Sequence, residues 1–153
     1  MIRIDIPGRG VIELTNAVFD VNGTIAVDGV LIAGVVERLQ SLREHLSISF
    51  LTAGTHGNLA EIEQSLGIPL QIISTGEDKA RFVQQLGPER VIAFGNGSND
   101  AAMLRLAAIG IAVFASEGVS VQALQAADAL ARGPIDAIDL VLRPKRLIST
   151  LRA

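Results

Sequence analysis

Short apolar runs alternate with stretches of helical periodicity along the whole chain. This predicts an α/β fold, a three-layer sandwich around a mostly parallel central sheet. Two further observations point the same way. Ala17-Val18-Phe19 is continuously apolar, as a buried strand is, and it ends in Asp20, Asn22, Gly23 and Thr24. Carboxylates, amides and hydroxyls at the carboxyl end of such a strand stand where open parallel sheets bind their ligands. With 49% hydrophobic and 19% charged residues, 153 residues are enough for one domain with a two-sided core.

Ile2-Arg3-Ile4-Asp5-Ile6 alternates strictly, Pro7-Gly8-Arg9-Gly10 turns the chain, and Val11-Ile12-Glu13-Leu14 returns it. Residues 1–14 therefore read as a hairpin with one buried face, an ornament at the sheet edge. The core, residues 15–142, opens with the strand to Asp20. Thr24-Ile25-Ala26-Val27 and Val30-Leu31-Ile32 then flank Asp28-Gly29, a tight-turn signal, and place a small β-flap over the Asp20 end. Val35, Val36, Leu39, Leu42 and Leu46 recur at helical spacing, with Glu37, Arg38, Arg43 and Glu44 opposite. Residues 47–51 read as a second strand, running into a loop of hydroxyls and glycines at 52–57, and Asn58 is placed to cap a helix reaching Leu66. A short strand at 70–73 precedes a helix over Phe82, Val83 and Leu86; Pro88 and Glu89 break to a strand at 91–94. That strand enters Gly95-Asn96-Gly97-Ser98-Asn99-Asp100, and a helix over Met103, Leu104, Leu106 and Ala107 follows. A strand at 109–114, a helix at 119–127, a short strand at 129–131 and helices at 135–142 and 145–151 complete the chain, with the last helix, 144–152, as a C-terminal appendage. There is no internal repeat or low-complexity linker.

A net charge of -3 with no Trp, no Tyr and five Phe argues against nucleic acid as a partner. No apolar run approaches the roughly 18 residues of a membrane span, and the N-terminus lacks the pattern of a secretion signal. The absence of cysteine removes disulfides and thiolate chemistry, fits a reducing cytoplasm, and leaves oxygen or the two histidines to hold any metal.

Three strand ends thus carry polar groups: Asp20 to Thr24, Thr52 to Gly57, and Gly95 to Asp100, with Lys79 at the start of an intervening helix. At these residues the chain resembles the haloacid dehalogenase-like superfamily of aspartate-nucleophile phosphotransferases. Asp20-Val21-Asn22-Gly23-Thr24 resembles its nucleophile signature, Leu51-Thr52 its strand-end hydroxyl, Lys79 its phosphate-neutralising lysine, and Gly95-Asn96-Gly97-Ser98-Asn99-Asp100 its acidic loop. Within the superfamily the chain resembles small soluble proteins related to the phosphorylation domain of P-type ATPases, although the second loop here is Thr52-Ala53-Gly54 where that domain has Thr-Gly-Asp.

The resemblance implies a HAD-like Rossmannoid fold and an aspartyl-phosphate mechanism with Asp20 as nucleophile and Asn22, Thr52 and Lys79 completing the catalytic set. It implies phosphate binding by Thr52, Ala53, Lys79 and Asn99, and Mg2+ held by Asp20, the Asn22 carbonyl, Asn96 and Asp100. Two positions depart from the pattern. The family's second aspartate, an acid and base in turn, is Asn22 here; losing such a group typically costs about 100- to 10,000-fold, least for good leaving groups. The first aspartate of the acidic loop is Asn96, which brings an amide oxygen but no charge, so Mg2+ should bind more weakly. The spacing leaves no room for a cap domain, so the site should take a large phosphorylated partner or be closed by a second copy of the chain.

Simpler readings stand beside these. Asp20 and Asn22 suit an Asx turn, Lys79 alone would be a surface helix residue, and Gly95-x-Gly97 starts like a dinucleotide fingerprint but has Asp100 at the third glycine. His56 reads as a solvated loop histidine, His45 as a neighbour of a helix dipole, and Arg143, Lys145, Arg146 and Arg152 as a solvated basic face. Two functions follow: a Mg2+-dependent phosphohydrolase or phosphotransferase acting on a phosphorylated small molecule or phosphoprotein, or a degenerate phosphate- or nucleotide-binding regulator on the same fold.

Overall fold

The computed structural model describes residues 1–54 and 58–153. Six strands, β3 (Asn16–Asp20), β6 (Ser47–Thr52), β7 (Leu70–Ile72), β8 (Val91–Gly95), β9 (Ile109–Val113) and β10 (Ala129–Ala131), form one sheet in the order β10-β9-β8-β3-β6-β7. Every pairing in it is parallel. The chain winds outward from β3 through β6 to β7, then crosses back and winds the other way through β8 and β9 to β10. The reversal of strand order lies at β3, and its carboxyl end is the crevice that such a topology opens to ligands. β3, β8 and β9 are buried almost throughout, which is why they read as unbroken apolar runs.

Alternate residues of these strands feed two cores. Ala17, Phe19, Phe50, Ile92, Phe94, Ile109 and Ile111 join the helices α1 (Val35–Arg43), α6 (Pro134–Leu142) and α7 (Pro144–Leu151) on one side. Val18, Leu51, Val91 and Ala93 meet α3 (Gly76–Leu86), α4 (Ala101–Leu106) and α5 (Val121–Ala126) on the other. Phe19 is in register with both Phe50 and Phe94. It stacks on Phe94 at a centroid distance of 4.2 Å and leans on Phe50 at 5.9 Å. This aromatic row lies one residue below Asp20 and locks the register of the three strands whose ends build the site.

Some expectations are corrected. The hairpin of β1 (Ile2–Ile6) and β2 (Gly10–Leu14) is not an edge ornament: it forms its own two-stranded sheet, and Ile4, Ile6 and Leu14 are fully buried in the larger core, with α7 against it. Its alternation shows that one face is buried but does not say against what. Asn58 occupies the N-cap position of α2 (Leu59–Leu66) without capping it; its side-chain amide donates to the Gly29 carbonyl instead. Asp128, just after α5, accepts from the Gly110 N–H at 2.8 Å and from Arg9 at 2.7 Å, tying β9 to the first hairpin.

The flap is β4 (Ala26–Val27) and β5 (Val30–Leu31), joined at Asp28 and Gly29, both with positive φ (51° and 76°), as the tight hairpin turn requires. It is fastened on both sides. Asp28 N–H donates to Glu117, beyond β9, at 3.2 Å, and Gly29 accepts from Asn58, beyond β6. No domain interrupts the path from β3 to α1 apart from this hairpin. Among the described residues, no helix is long and apolar enough to cross a membrane.

Candidate active site

Lys79 explains the geometry of the site. It shares one stripe of α3 with Phe82, Val83 and Leu86, at the i, i+3, i+4, i+7 spacing of a core-facing helix. A lysine on that stripe must enter the protein, and its side chain is wholly buried. Its ammonium donates to Asp20 Oδ1 at 2.8 Å and to Asp100 Oδ1 at 2.7 Å. Asp100 is itself fully buried, and its Oδ2 accepts from the Asn96 and Gly97 N–H groups at 3.0 and 2.9 Å. Gly95 has to lack a side chain, because a Cβ there would lie 2.6 Å from Asp100.

Asp20, 6% exposed, ends β3 at the crevice, and its Oδ2 lies 3.1 Å from the buried Thr24 hydroxyl that donates to it. Burial, and after it the negative charge of Asp100, raise its pKa from 3.8 to about 7, against the pull of Lys79 and the Thr24 hydrogen bond. Burial pulls the Lys79 pKa down, but Asp20 and Asp100 outweigh it and hold the ammonium above its ordinary value. Two carboxylates and one ammonium leave a net negative charge in a nearly dry site, which a further cation would complete.

Thr52, at the end of β6, is fully buried; its Oγ1 accepts from the Gly54 N–H at 3.2 Å and from Asn22 Nδ2 at 3.4 Å, so its own proton is available to point outward. Ala53 follows it, half-buried, in the same loop. Asn22 Oδ1 is buried with no hydrogen-bond partner among the described residues. Asn99 lies near the site, but its amide donates to the Ser74 carbonyl at 3.2 Å. Asn96 Nδ2 donates to the Gly118 carbonyl at 3.1 Å, and its Oδ1 lies 3.3 Å from Thr24 Oγ1. Thr55, His56 and Gly57 lie outside the described residues.

The structure thus gathers Asp20, Lys79, Asp100, Thr52, Asn22 and Asn96 at one sheet edge. Among the described residues, no three His, Cys, Asp or Glu side chains converge on a metal position. The available donors are two carboxylates and the Asn22 carbonyl, with the Asn96 amide oxygen beside them but 3.3 Å from Thr24 Oγ1; these are hard oxygens of the kind Mg2+ takes, with a net negative charge to receive it. The donor set therefore fits this ion. Sequence reasoning left Thr24 without a role, and the 114–120 segment drew no attention because its partners, Asp28 and Asn96, are distant in sequence. The signal for Lys79 lay in the sequence all along, in its place on an apolar stripe.

Known proteins share the sequence pattern and the fold. The haloacid dehalogenase-like hydrolase family matches residues 13–129. An uncharacterized protein of Methanocaldococcus jannaschii is 35% identical over 78 residues, 48% of this chain and 84% of that protein. The 3-deoxy-D-manno-octulosonate 8-phosphate phosphatase of Moraxella catarrhalis, solved with magnesium, phosphate and KDO, superposes with a TM-score of 0.70 over 91% of this chain and 94% of that one, at 18% identity. The cobalt-bound enzyme of Haemophilus influenzae gives 0.70 over 92% and 94%, at 14% identity. A zinc-transporting PIB-type ATPase matches 78% of this chain with 20% of its own, at 27% identity and a TM-score of 0.64. The fold recurs in these solved phosphatases, and with the family's sequence match spanning the three site-bearing strand ends, this chain belongs to the haloacid dehalogenase-like hydrolases.

Proposed function

We propose that the protein is a Mg2+-dependent phosphohydrolase or phosphotransferase that acts through an aspartyl phosphate on Asp20 and prefers phosphates with good leaving groups. The observation that carries this is the buried Asp20–Lys79–Asp100 triad at the point where strand order reverses. A structural ion pair has no need of that position, and burying three charges there is costly without a function.

Asp20 attacks phosphorus; the Asp20–phosphorus bond forms as the bond to the leaving oxygen breaks, and that oxygen departs with the electron pair. Lys79 uses two of its three N–H donors on Asp20 and Asp100, which leaves the third for a phosphoryl oxygen. The Thr52 proton and the N–H groups of the Asp20 and Thr52–Ala53 loops receive the other oxygens. Asp20, Asp100 and the Asn22 carbonyl would hold Mg2+, which when bound would supply positive charge against the transferring group. Asn22 has no proton to give the leaving oxygen, so a carboxylate or other stable anion departs readily and an alkoxide does not. In the second half, Asn22 Oδ1 can accept from and orient a water but cannot take its proton, so hydrolysis of the phosphoenzyme is slow and a better acceptor competes.

The test is turnover with and without Mg2+ on acetyl phosphate, p-nitrophenyl phosphate and a sugar phosphate, with Asp20→Asn and Asn22→Asp variants. We expect metal- and Asp20-dependent turnover ranked by leaving group, and sugar-phosphate activity gained by Asn22→Asp. The amide at Asn22 favours a second reading, a phosphate- or nucleotide-binding regulator. Absent turnover, with phosphate still raising the melting temperature, would select it. Closure of the open mouth by a second copy of the chain belongs to the proposal; light scattering that finds only monomer removes that part.

A further inference from the structure

We propose that Asn96 is a positioning residue for the nucleophile, taking over the Thr24 hydroxyl proton once Asp20 has reacted, and is not a ligand of the metal. This rests on Asp20 being the nucleophile.

The orientation of the Asn96 amide is fixed by Gly118. Its NH2 donates to that carbonyl at 3.1 Å, and flipping the amide would set two acceptors against each other. Oδ1 is therefore held 3.3 Å from Thr24 Oγ1, which lies 3.1 Å from Asp20 Oδ2. The hydroxyl has one proton and two acceptors. While Asp20 is ionised it wins the proton, because hydrogen bonds to a charged acceptor are the stronger. When Asp20 is esterified to phosphorus it loses its charge, and the proton of the buried Thr24 turns to Asn96 Oδ1 instead of being stranded.

Two more contacts fit a residue that holds and does not ligate. The Asn96 carbonyl accepts from Ser120 N–H at 2.8 Å, so Asn96 grips the 118–120 segment by both backbone and side chain. Its amide also fills the space above Gly23, where any Cβ would collide with it. An aspartate here would press a negative oxygen against the Gly118 carbonyl and hold the Thr24 proton permanently, away from Asp20. An amide is the group that avoids both.

The test compares wild type, Asn96→Ala and Asn96→Asp by metal-free thermal unfolding and by calorimetric titration with Mg2+ alone, neither of which needs turnover. A ligand role predicts that the added charge of Asn96→Asp tightens Mg2+ about tenfold or more. We expect no tightening, and a metal-free melting temperature for Asn96→Asp below that of Asn96→Ala. With acetyl phosphate, Asn96→Ala should lower kcat with KM unchanged, and Thr24→Val should cost less in that background than in wild type. Tenfold tightening in Asn96→Asp, or Asn96→Ala and Thr24→Val losses that simply multiply, would overturn the proposal. A wild-type protein that binds no Mg2+ would instead remove the metal from the proposed function. The metal-free melting order would then decide the inference alone, and Asn96→Asp melting at or above Asn96→Ala would overturn it.

Discussion

Replacing Lys79 by methionine keeps the length and volume of the side chain on the α3 stripe and removes the charge that Asp20 and Asp100 share. Breaking a buried ion pair from one side costs about 3 to 5 kcal/mol, because the remaining charge is left without a partner. Here two carboxylates are left facing one another. For a chain of this size that loss corresponds to a fall in melting temperature of roughly 6 to 20 °C. The variant has an escape, since a proton on Asp20 relieves the repulsion, and this gives the effect a direction in pH. The pKa of Asp20 is already raised from 3.8 to about 7 in the wild-type fold, and removing the ammonium raises it further. A raised folded value means that the folded state binds a proton the unfolded state has released. The stabilisation is therefore complete below the unfolded value and is lost as pH rises through the folded one. The assay is urea unfolding of the metal-free wild type and Lys79→Met at pH 5 and pH 8. The penalty should be near its full value at pH 8 and smaller at pH 5 by about 1 kcal/mol, since the two proteins differ by up to one bound proton over the pH interval above the wild-type value of about 7. Equal penalties at the two pH values, or less than about 1 kcal/mol at pH 8, would refute the view that Lys79 neutralises two ionised, buried carboxylates.

If Asp20 holds Mg2+ as proposed, the metal competes with the proton there, so the acidic limb of kcat/KM against pH, near 7 at low Mg2+, should move to lower pH as Mg2+ rises; a fixed limb would separate Asp20 from the metal. Asn22→Asp should raise sugar-phosphate turnover by up to about 100- to 10,000-fold and acetyl phosphate turnover little, as steady-state rates would show. Gly23→Ala, at a φ of 82° and in collision with Asn96, should cost about 1 to 3 kcal/mol in urea unfolding and abolish turnover. Asn58→Ala should cost about 1 kcal/mol through the lost bond to Gly29, and limited proteolysis should then cut at the flap turn.

Strands covered by helices on both faces are legible because nothing polar can interrupt them, and β3, β8 and β9 show this in full. Short motifs mark the candidate site where strands end: Asp20 closes β3 and Thr52 closes β6, while Asp100 is placed by the turn that follows β8. What local reading missed was decided by distant partners. Asn58 has the right chemistry for a cap, but the Gly29 carbonyl, 29 residues away, claims its amide. The first hairpin announces a buried face, yet only the fold reveals that α7 and the main core cover it. Asn96 reads as a weakened metal ligand in the loop motif, and its contacts with Gly118 and Thr24, 22 and 72 residues away, are not visible from that motif.

The flap turn is anchored toward β9 by Glu117 and toward β6 by Asn58, so it spans β3 as a strut across the entrance. A strut gives an aperture of one width. For a site of the proposed kind, a strut that stays in place would sort molecules by their dimensions as they arrive, with none of their binding energy drawn into closing a lid. Under the proposed function, such an entrance would treat a phosphoryl group at the tip of a macromolecule and one on a small metabolite alike, provided each is slender enough to reach Asp20.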